Sequence, residues 1–268
     1  MPTPYIGRLA PSPTGLLHLG HARTFWTAYQ RARAAHGTLY LRDDDVDPHR
    51  SRAEFSASLR EDLCWLGITW DAEVRQSERL SLYRAAMQQL LATGLAYPCT
   101  CSRNDLAHAT QAPHEEDDEP LYNNHCRPIA IEPQTTLLPN VNYRLRTPDH
   151  QPIAFTDLHA GPQSFTPAVD FGDFLIWRKD ALPSYQLACV VDDADLRITE
   201  VVRGRDLLKS TARQILLQRV LNLSTPAYFH CDLLRDEAGV RLAKRRHALS
   251  LRTLRANGLS PAEVIAAF

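Results

Sequence analysis

Strand-like and helix-like patterns alternate through the first hundred residues, and this alternation constrains the fold more than any other feature. Tyr5 to Ala10 reads as a short strand that runs into a Pro/Ser/Gly loop. Residues 22–35 then place Phe25, Tyr29 and Ala32 on one helical stripe, with Gly37 as the stop. Thr38 to Arg42 is strand-like again. Arg52 to Leu66 carries Phe55, Leu59, Leu63 and Leu66 at helical spacing before Gly67, and Ser81 to Thr93 carries Leu82, Ala86, Met87, Leu90 and Leu91 before Gly94. Such alternation predicts a parallel α/β sheet.

The texture changes between about Pro98 and Pro167. Prolines, the acidic run Glu115 to Glu119 and short strand-like pieces (Val141 to Arg146, Ile153 to Thr156) predict a loop-rich insertion. The α/β pattern resumes with Tyr185 to Asp193, a strand at Ile198 to Val202 and a helix from Leu207 to Leu221. The expected organisation is therefore one nucleotide-binding-type sheet over residues 1–98 and 168–268, interrupted by an inserted subdomain over 99–167.

A length of 268 residues fits one large domain or two small ones, and 44% apolar with 23% charged residues excludes a wholly disordered chain. No apolar run is long enough to span a membrane and no secretory signal is visible, so a cytoplasmic location is expected. The net charge of −1 is unevenly spread: Arg203 to Phe268 holds 12 Lys/Arg against 5 Asp/Glu. That basic quarter suits phosphates, and equally a solvated helix face. Of the six cysteines, Cys64, Cys189 and Cys231 sit in apolar segments and read as core residues.

The strongest chemical signal is Arg8-Leu9-Ala10-Pro11-Ser12-Pro13-Thr14-Gly15-Leu16-Leu17-His18-Leu19-Gly20-His21. It joins a strand to a helix, where the helix N-terminal amides and dipole form an anion site. His18 and His21, three apart, share one face and are suited to donate hydrogen bonds to phosphate oxygens as charge builds. Gly20 leaves room for a flat ring against the backbone, and the prolines stiffen the approach.

This segment resembles the His-Ile-Gly-His signature of class I aminoacyl-tRNA synthetases, with Leu19 for Ile. More narrowly, Arg8 to Ser12, Arg42-Asp43-Asp44-Asp45 and Tyr185 through Arg203 resemble the glutamyl-tRNA synthetase branch, over essentially the whole chain. The short length and the cysteine pattern are similar to members that lack an anticodon-binding domain and esterify glutamate to the queuosine base in the anticodon of tRNA(Asp). The resemblance implies a class I Rossmann-type α/β catalytic domain with an inserted, zinc-bearing, acceptor-binding subdomain. It also implies a monomer that activates L-glutamate with ATP and Mg²⁺ without needing tRNA for that step.

Carried over residue by residue, the resemblance assigns His18, His21 and Lys244 as catalytic residues and Pro11, Gly15, His18, Gly20, His21, Arg241 and Lys244 as ATP contacts. The second ATP motif falls on Arg241-Leu242-Ala243-Lys244-Arg245, where Arg and Ala replace the family's first Lys and its Ser. Glutamate contacts are implied at Arg8, Leu9, Ala10, Pro11, Ser12, Asp44, Tyr185 and Arg203. A guanidinium suits a carboxylate, and a carboxylate suits the substrate ammonium. Asp44 stands where the family has Glu, one methylene shorter. Cys99, Cys101, Tyr122 and Cys126 match the family's zinc ligands; chemistry alone favours His114 or His125 over the phenol as fourth ligand. Two other readings remain open: a truncated glutamyl-tRNA synthetase charging a tRNA 3′ end, and a non-catalytic tRNA- or nucleotide-binding paralogue.

Overall fold

The computed structural model describes residues 4–101, 121–234 and 250–268. In chain order the described elements begin with β1 (Ile6–Leu9), α1 (Leu19–Ala34), β2 (Thr38–Asp43), α2 (Ala53–Trp65), β3 (Ala72–Arg75) and α3 (Leu80–Ala92). There follow β4 (Ala96–Cys99), β5 (Asn142–Leu145), β6 (Ile153–Asp157), β7 (Gly161–Phe165) and β8 (Phe174–Trp177). The rest are α4 (Tyr185–Asp195), β9 (Glu200–Gly204), α5 (Leu208–Val220), β10 (Ala227–Cys231), α6 (Leu251–Ala256) and α7 (Pro261–Ile265).

The expected parallel pattern is present. β1, β2 and β3 pair in parallel in that order, with Arg8 opposite Tyr40 and Tyr40 opposite Ala72; β9 and β10 form a second parallel pair. The two sets meet where Thr199 donates its N–H to the Ile6 carbonyl (2.8 Å) and accepts the Ile6 N–H on its hydroxyl (2.8 Å). α1 buries Ala22, Phe25, Ala28 and Ala32, the helical spacing that lays one face on the sheet. Gly67 and Gly94 follow α2 and α3 with φ of +77° and +73°, the left-handed stop that glycine supplies without strain.

Two features depart from the sequence expectation. β3 was not foreseen: its Ala-Glu-Val-Arg is mostly exposed at the sheet edge and has no alternation to read. Cys64 is exposed, not core, because it follows buried Leu63 onto the solvent side of α2.

The antiparallel elements run from Ala96 to Trp177, wider at both ends than residues 99–167: β4, β5 and β8 form one sheet, and β6–β7 a hairpin. Tyr97, Cys99 and Tyr122 form a small cluster of their own, but most of the buried side chains of these elements join the main core. Tyr143, Leu145, Phe174 and Trp177 pack in one apolar cluster with Leu187 and Ala188 of α4, Val201 of β9 and Ile215 of α5.

Candidate active site

The end of β1, the loop after it, the start of α1, the start of α4 and the ends of β9 and β10 surround a cavity of about 410 Å³. Of the residues singled out by sequence, Arg8, Ala10, Pro11, Ser12, Gly15, His18, Gly20, His21, Tyr185 and Arg203 all line it. Leu9 does not; it is fully buried in the second apolar cluster, beneath the loop. Arg241 and Lys244 lie outside the described residues.

His18 is the N-cap of α1. Its Nδ1 accepts from the Gly20 N–H (3.1 Å), while His21 Nδ1 accepts from the His18 N–H (3.3 Å), so the two rings close a capping box. The rings stack with centroids 3.7 Å apart. With both Nδ1 atoms used as acceptors, each neutral ring carries its proton on Nε2, a donor at a helix N-terminus. The space over Gly20 holds the His18 ring: a Cβ there would come within 3.1 Å of it.

Arg203 reaches the cavity from β9, 4% exposed. Its Nε donates to His230 Nε2 (3.2 Å), Nη1 to Gln214 Oε1 (2.8 Å) and Nη2 to the Thr211 hydroxyl (2.5 Å). Arg8 is equally buried and donates to Asp193 Oδ1 (3.2 Å) and the Val202 carbonyl (3.3 Å). Two guanidinium groups therefore enter one small cavity from a shielded setting, where an anionic ligand is strongly favoured.

Asp44 is not among the cavity-lining residues. Both of its oxygens accept from Arg42, at 2.6 and 3.2 Å, and its backbone N–H donates to the Pro11 carbonyl (3.0 Å). Burial, partly offset by Arg42, pushes its carboxyl up to about 6. Arg42 is fully buried and also binds Asp193 Oδ1 (2.8 Å). Beside it Asp192 accepts from Gln76 (2.8 Å), Arg79 (2.8 Å) and Tyr83 (2.9 Å). This ionic layer under the cavity was missed in the sequence, although two acids directly after the apolar run Leu187 to Val191 were a signal of paired buried charge.

Away from the cavity, the sulfurs of Cys99, Cys101 and Cys126 lie within 4.8 Å of one another. The Tyr122 hydroxyl is 3.6 Å from Cys99 Sγ and 3.9 Å from Cys101 Sγ, and accepts the Cys126 N–H at 2.7 Å. Arg144 stacks 4.0 Å above the Tyr122 ring and donates to Cys99 Sγ (3.3 Å). His125 is exposed, and His114 lies outside the described residues. Three soft sulfur donors on short, convergent segments suit a tetrahedral thiophilic ion.

A strand–loop–helix anion site capped by paired histidines, set in a parallel α/β sheet, defines a nucleotide-handling enzyme class. Residues 6–268 match the family model of tRNA synthetases class I (E and Q), catalytic domain, and the chain belongs to that family of ligases. It is 45% identical to a glutamyl-Q tRNA(Asp) synthetase of Symbiobacterium thermophilum, over 97% of this chain and 84% of the relative. A protein of the same name from Rhodobacter capsulatus is 43% identical, with 97% and 98% covered. Among solved structures, a glutamate tRNA ligase from Elizabethkingia meningosepticum in complex with its amino acid superposes with a TM-score of 0.76 at 27% identity, over 96% of this chain and 54% of that one. No helix among the described residues is long and apolar enough to cross a membrane.

Proposed function

We propose that the chain activates L-glutamate with ATP to glutamyl-adenylate, releasing pyrophosphate, and then passes glutamate to the queuosine base in the anticodon of tRNA(Asp). The observation that carries this reading is the gathering of Arg8, Ser12, Tyr185 and Arg203 with His18, Gly20 and His21 around one cavity. Arg203 and Arg8 clamp the substrate carboxylates. Asp44 acts on the ammonium by its charge rather than by direct contact. Pro11 and Gly15 make room for ATP, and His18, whose ring takes the space over Gly20, donates with His21 to its phosphates. Arg241 and Lys244 neutralise the triphosphate and the leaving pyrophosphate. The substrate carboxylate attacks the α-phosphate, so the protein supplies orientation and charge stabilisation, and no side-chain nucleophile is required. Mg²⁺ arrives with ATP.

The acceptor assignment draws on the names of the relatives and on the chemistry of queuosine. Its ring bears a vicinal diol like that of a terminal ribose, so one esterification chemistry serves either acceptor. Glutamate-dependent exchange of labelled pyrophosphate into ATP separates a catalyst from a nucleotide-binding paralogue. Labelled glutamate charged onto tRNA(Asp) should then, after nuclease cutting, sit on the anticodon fragment. Label on the 3′-terminal fragment, or equal charging of tRNA without queuosine, would turn the assignment to the 3′ ribose.

The antiparallel insertion serves in this reading as the acceptor-binding part, with Zn²⁺ held by Cys99, Cys101, Tyr122 and Cys126. Such an ion would tie two segments of chain, 99–101 and 122–126, together and has no part in adenylation. Freshly purified protein should hold one zinc per chain, and Cys101→Ala should lose it. A stoichiometric metal that survives that substitution would place the ligands elsewhere.

A further inference from the structure

Arg203 does not choose its own orientation. His230 is its register partner on the adjacent parallel strand β10, and the ring lies wholly buried. A guanidinium has only donors, so His230 Nε2, which takes the Arg203 Nε–H at 3.2 Å, must be an unprotonated acceptor. The ring proton then belongs on Nδ1, which faces Asp157 Oδ2 at 2.6 Å. Asp157, 2% exposed, is the last residue of β6, and its other oxygen accepts the N–H groups of His159 (3.0 Å) and Ala160 (2.7 Å). The hairpin is in turn fastened to β10, where Leu158 donates its N–H to the Tyr228 carbonyl (2.8 Å). Burial and the nearby Arg203 charge push the His230 ring down to about 4, in keeping with a neutral imidazole.

We propose that Asp157 and His230 are positioning residues for substrate recognition: the Asp157 carboxylate fixes the Nδ1–H tautomer of His230, and the Nε2 lone pair, which the Thr211 hydroxyl also faces at 2.9 Å, sets the plane of the Arg203 guanidinium. With Nε on His230, one Nη1–H on Gln214 and one Nη2–H on Thr211, Arg203 keeps one N–H on each terminal nitrogen. Those remaining donors suit a carboxylate. The antiparallel hairpin thereby contributes to amino-acid affinity from a residue that does not line the cavity. This inference rests on the reading of Arg203 as a glutamate ligand.

Asp157→Asn tests it with little change of shape. Oδ1 keeps its backbone hydrogen bonds from His159, Ala160 and His230, while the new amide N–H₂ faces His230 Nδ1 and forces the ring proton onto Nε2, against Arg203. The KM for glutamate in pyrophosphate exchange should rise about 10- to 100-fold, the cost of a lost hydrogen bond to a charged group, with the KM for ATP unchanged. His230→Asn, which removes the acceptor, should behave alike. His230→Gln, which returns an oxygen near the Nε2 position, should recover much of the loss. Nitrogen-15 NMR of the unaltered protein should show His230 protonated on Nδ1; protonation on Nε2 would overturn the proposal without any kinetics. Arg203→Ala separates the two levels. If it raises the KM for glutamate while Asp157→Asn and His230→Asn do not, the positioning role is wrong and the site reading stands. If Arg203→Ala leaves that KM unchanged, the glutamate reading of Arg203 falls, and the positioning role falls with it.

Discussion

Replacing His21 with alanine should lower glutamate-dependent pyrophosphate exchange by about 10² or more, as for other lost donors to transition-state charge. The His21 ring stacks on His18 and accepts the His18 N–H on Nδ1, which leaves its proton on Nε2 at the N-terminus of α1. That placement offers a hydrogen-bond donor where negative charge grows as the pentacovalent phosphorus forms. Part of the effect is structural, because His21 also completes the helix cap, but a lost cap costs only about 1 kcal/mol. A factor of 10² in rate corresponds to about 2.7 kcal/mol, so rate and stability separate cleanly. Lys244→Ala should give a loss of similar size from the other ATP motif. Near-normal exchange in both variants, measured alongside their melting curves, would remove the phosphate role from these two residues.

Asp192→Ala should destabilise the protein by about 3–5 kcal/mol, the usual cost of removing one partner from a buried ionic group. Asp192 is fully buried and satisfies Gln76, Arg79 and Tyr83 at once, with Arg42 Nε 3.7 Å away. Its loss leaves a fully buried guanidinium short of charge and three polar groups without their acceptor. For a chain of this size the melting temperature should fall by roughly 6–20 °C. Asp192→Asn keeps an oxygen for Tyr83 and should fall less. A shift under about 2 °C for the alanine variant would show that the arginines find compensation within the layer.

The periodic part of the fold was legible. α1, α2, α3 and α5 carry apolar residues at helical spacing, and each lies within a few residues of its expected position. The contiguous stretch Arg8 to His21 was legible for a different reason: one strand–loop–helix unit carries its whole chemistry, so no tertiary knowledge is needed to group it. What escaped depends on long-range pairing. His230 and Asp157 are 73 residues apart, and no local pattern joins them. Asp44 shows how alternation redirects a side chain: Arg42 and Asp44, two apart at the end of β2, face the same way and bind each other. The residue expected to face the substrate thus serves the buried ionic layer. The cysteines divide similarly, since Cys99, Cys101 and Cys126 do converge while Cys64 points to solvent.

The junction between β1 and β9 has a consequence for how the protein is made. Ile6 and Thr199 are 193 residues apart in sequence, and the cavity takes Arg8 from one side of that junction and Arg203 from the other. Closing so long a loop carries a large entropic cost that is recovered only once the sheet has joined. A nascent chain can therefore form α1 or the β6–β7 hairpin early and still have no binding site. The onset of amino-acid binding during refolding should trail the return of helical signal, which makes ligand affinity a reporter of the last closure rather than of collapse.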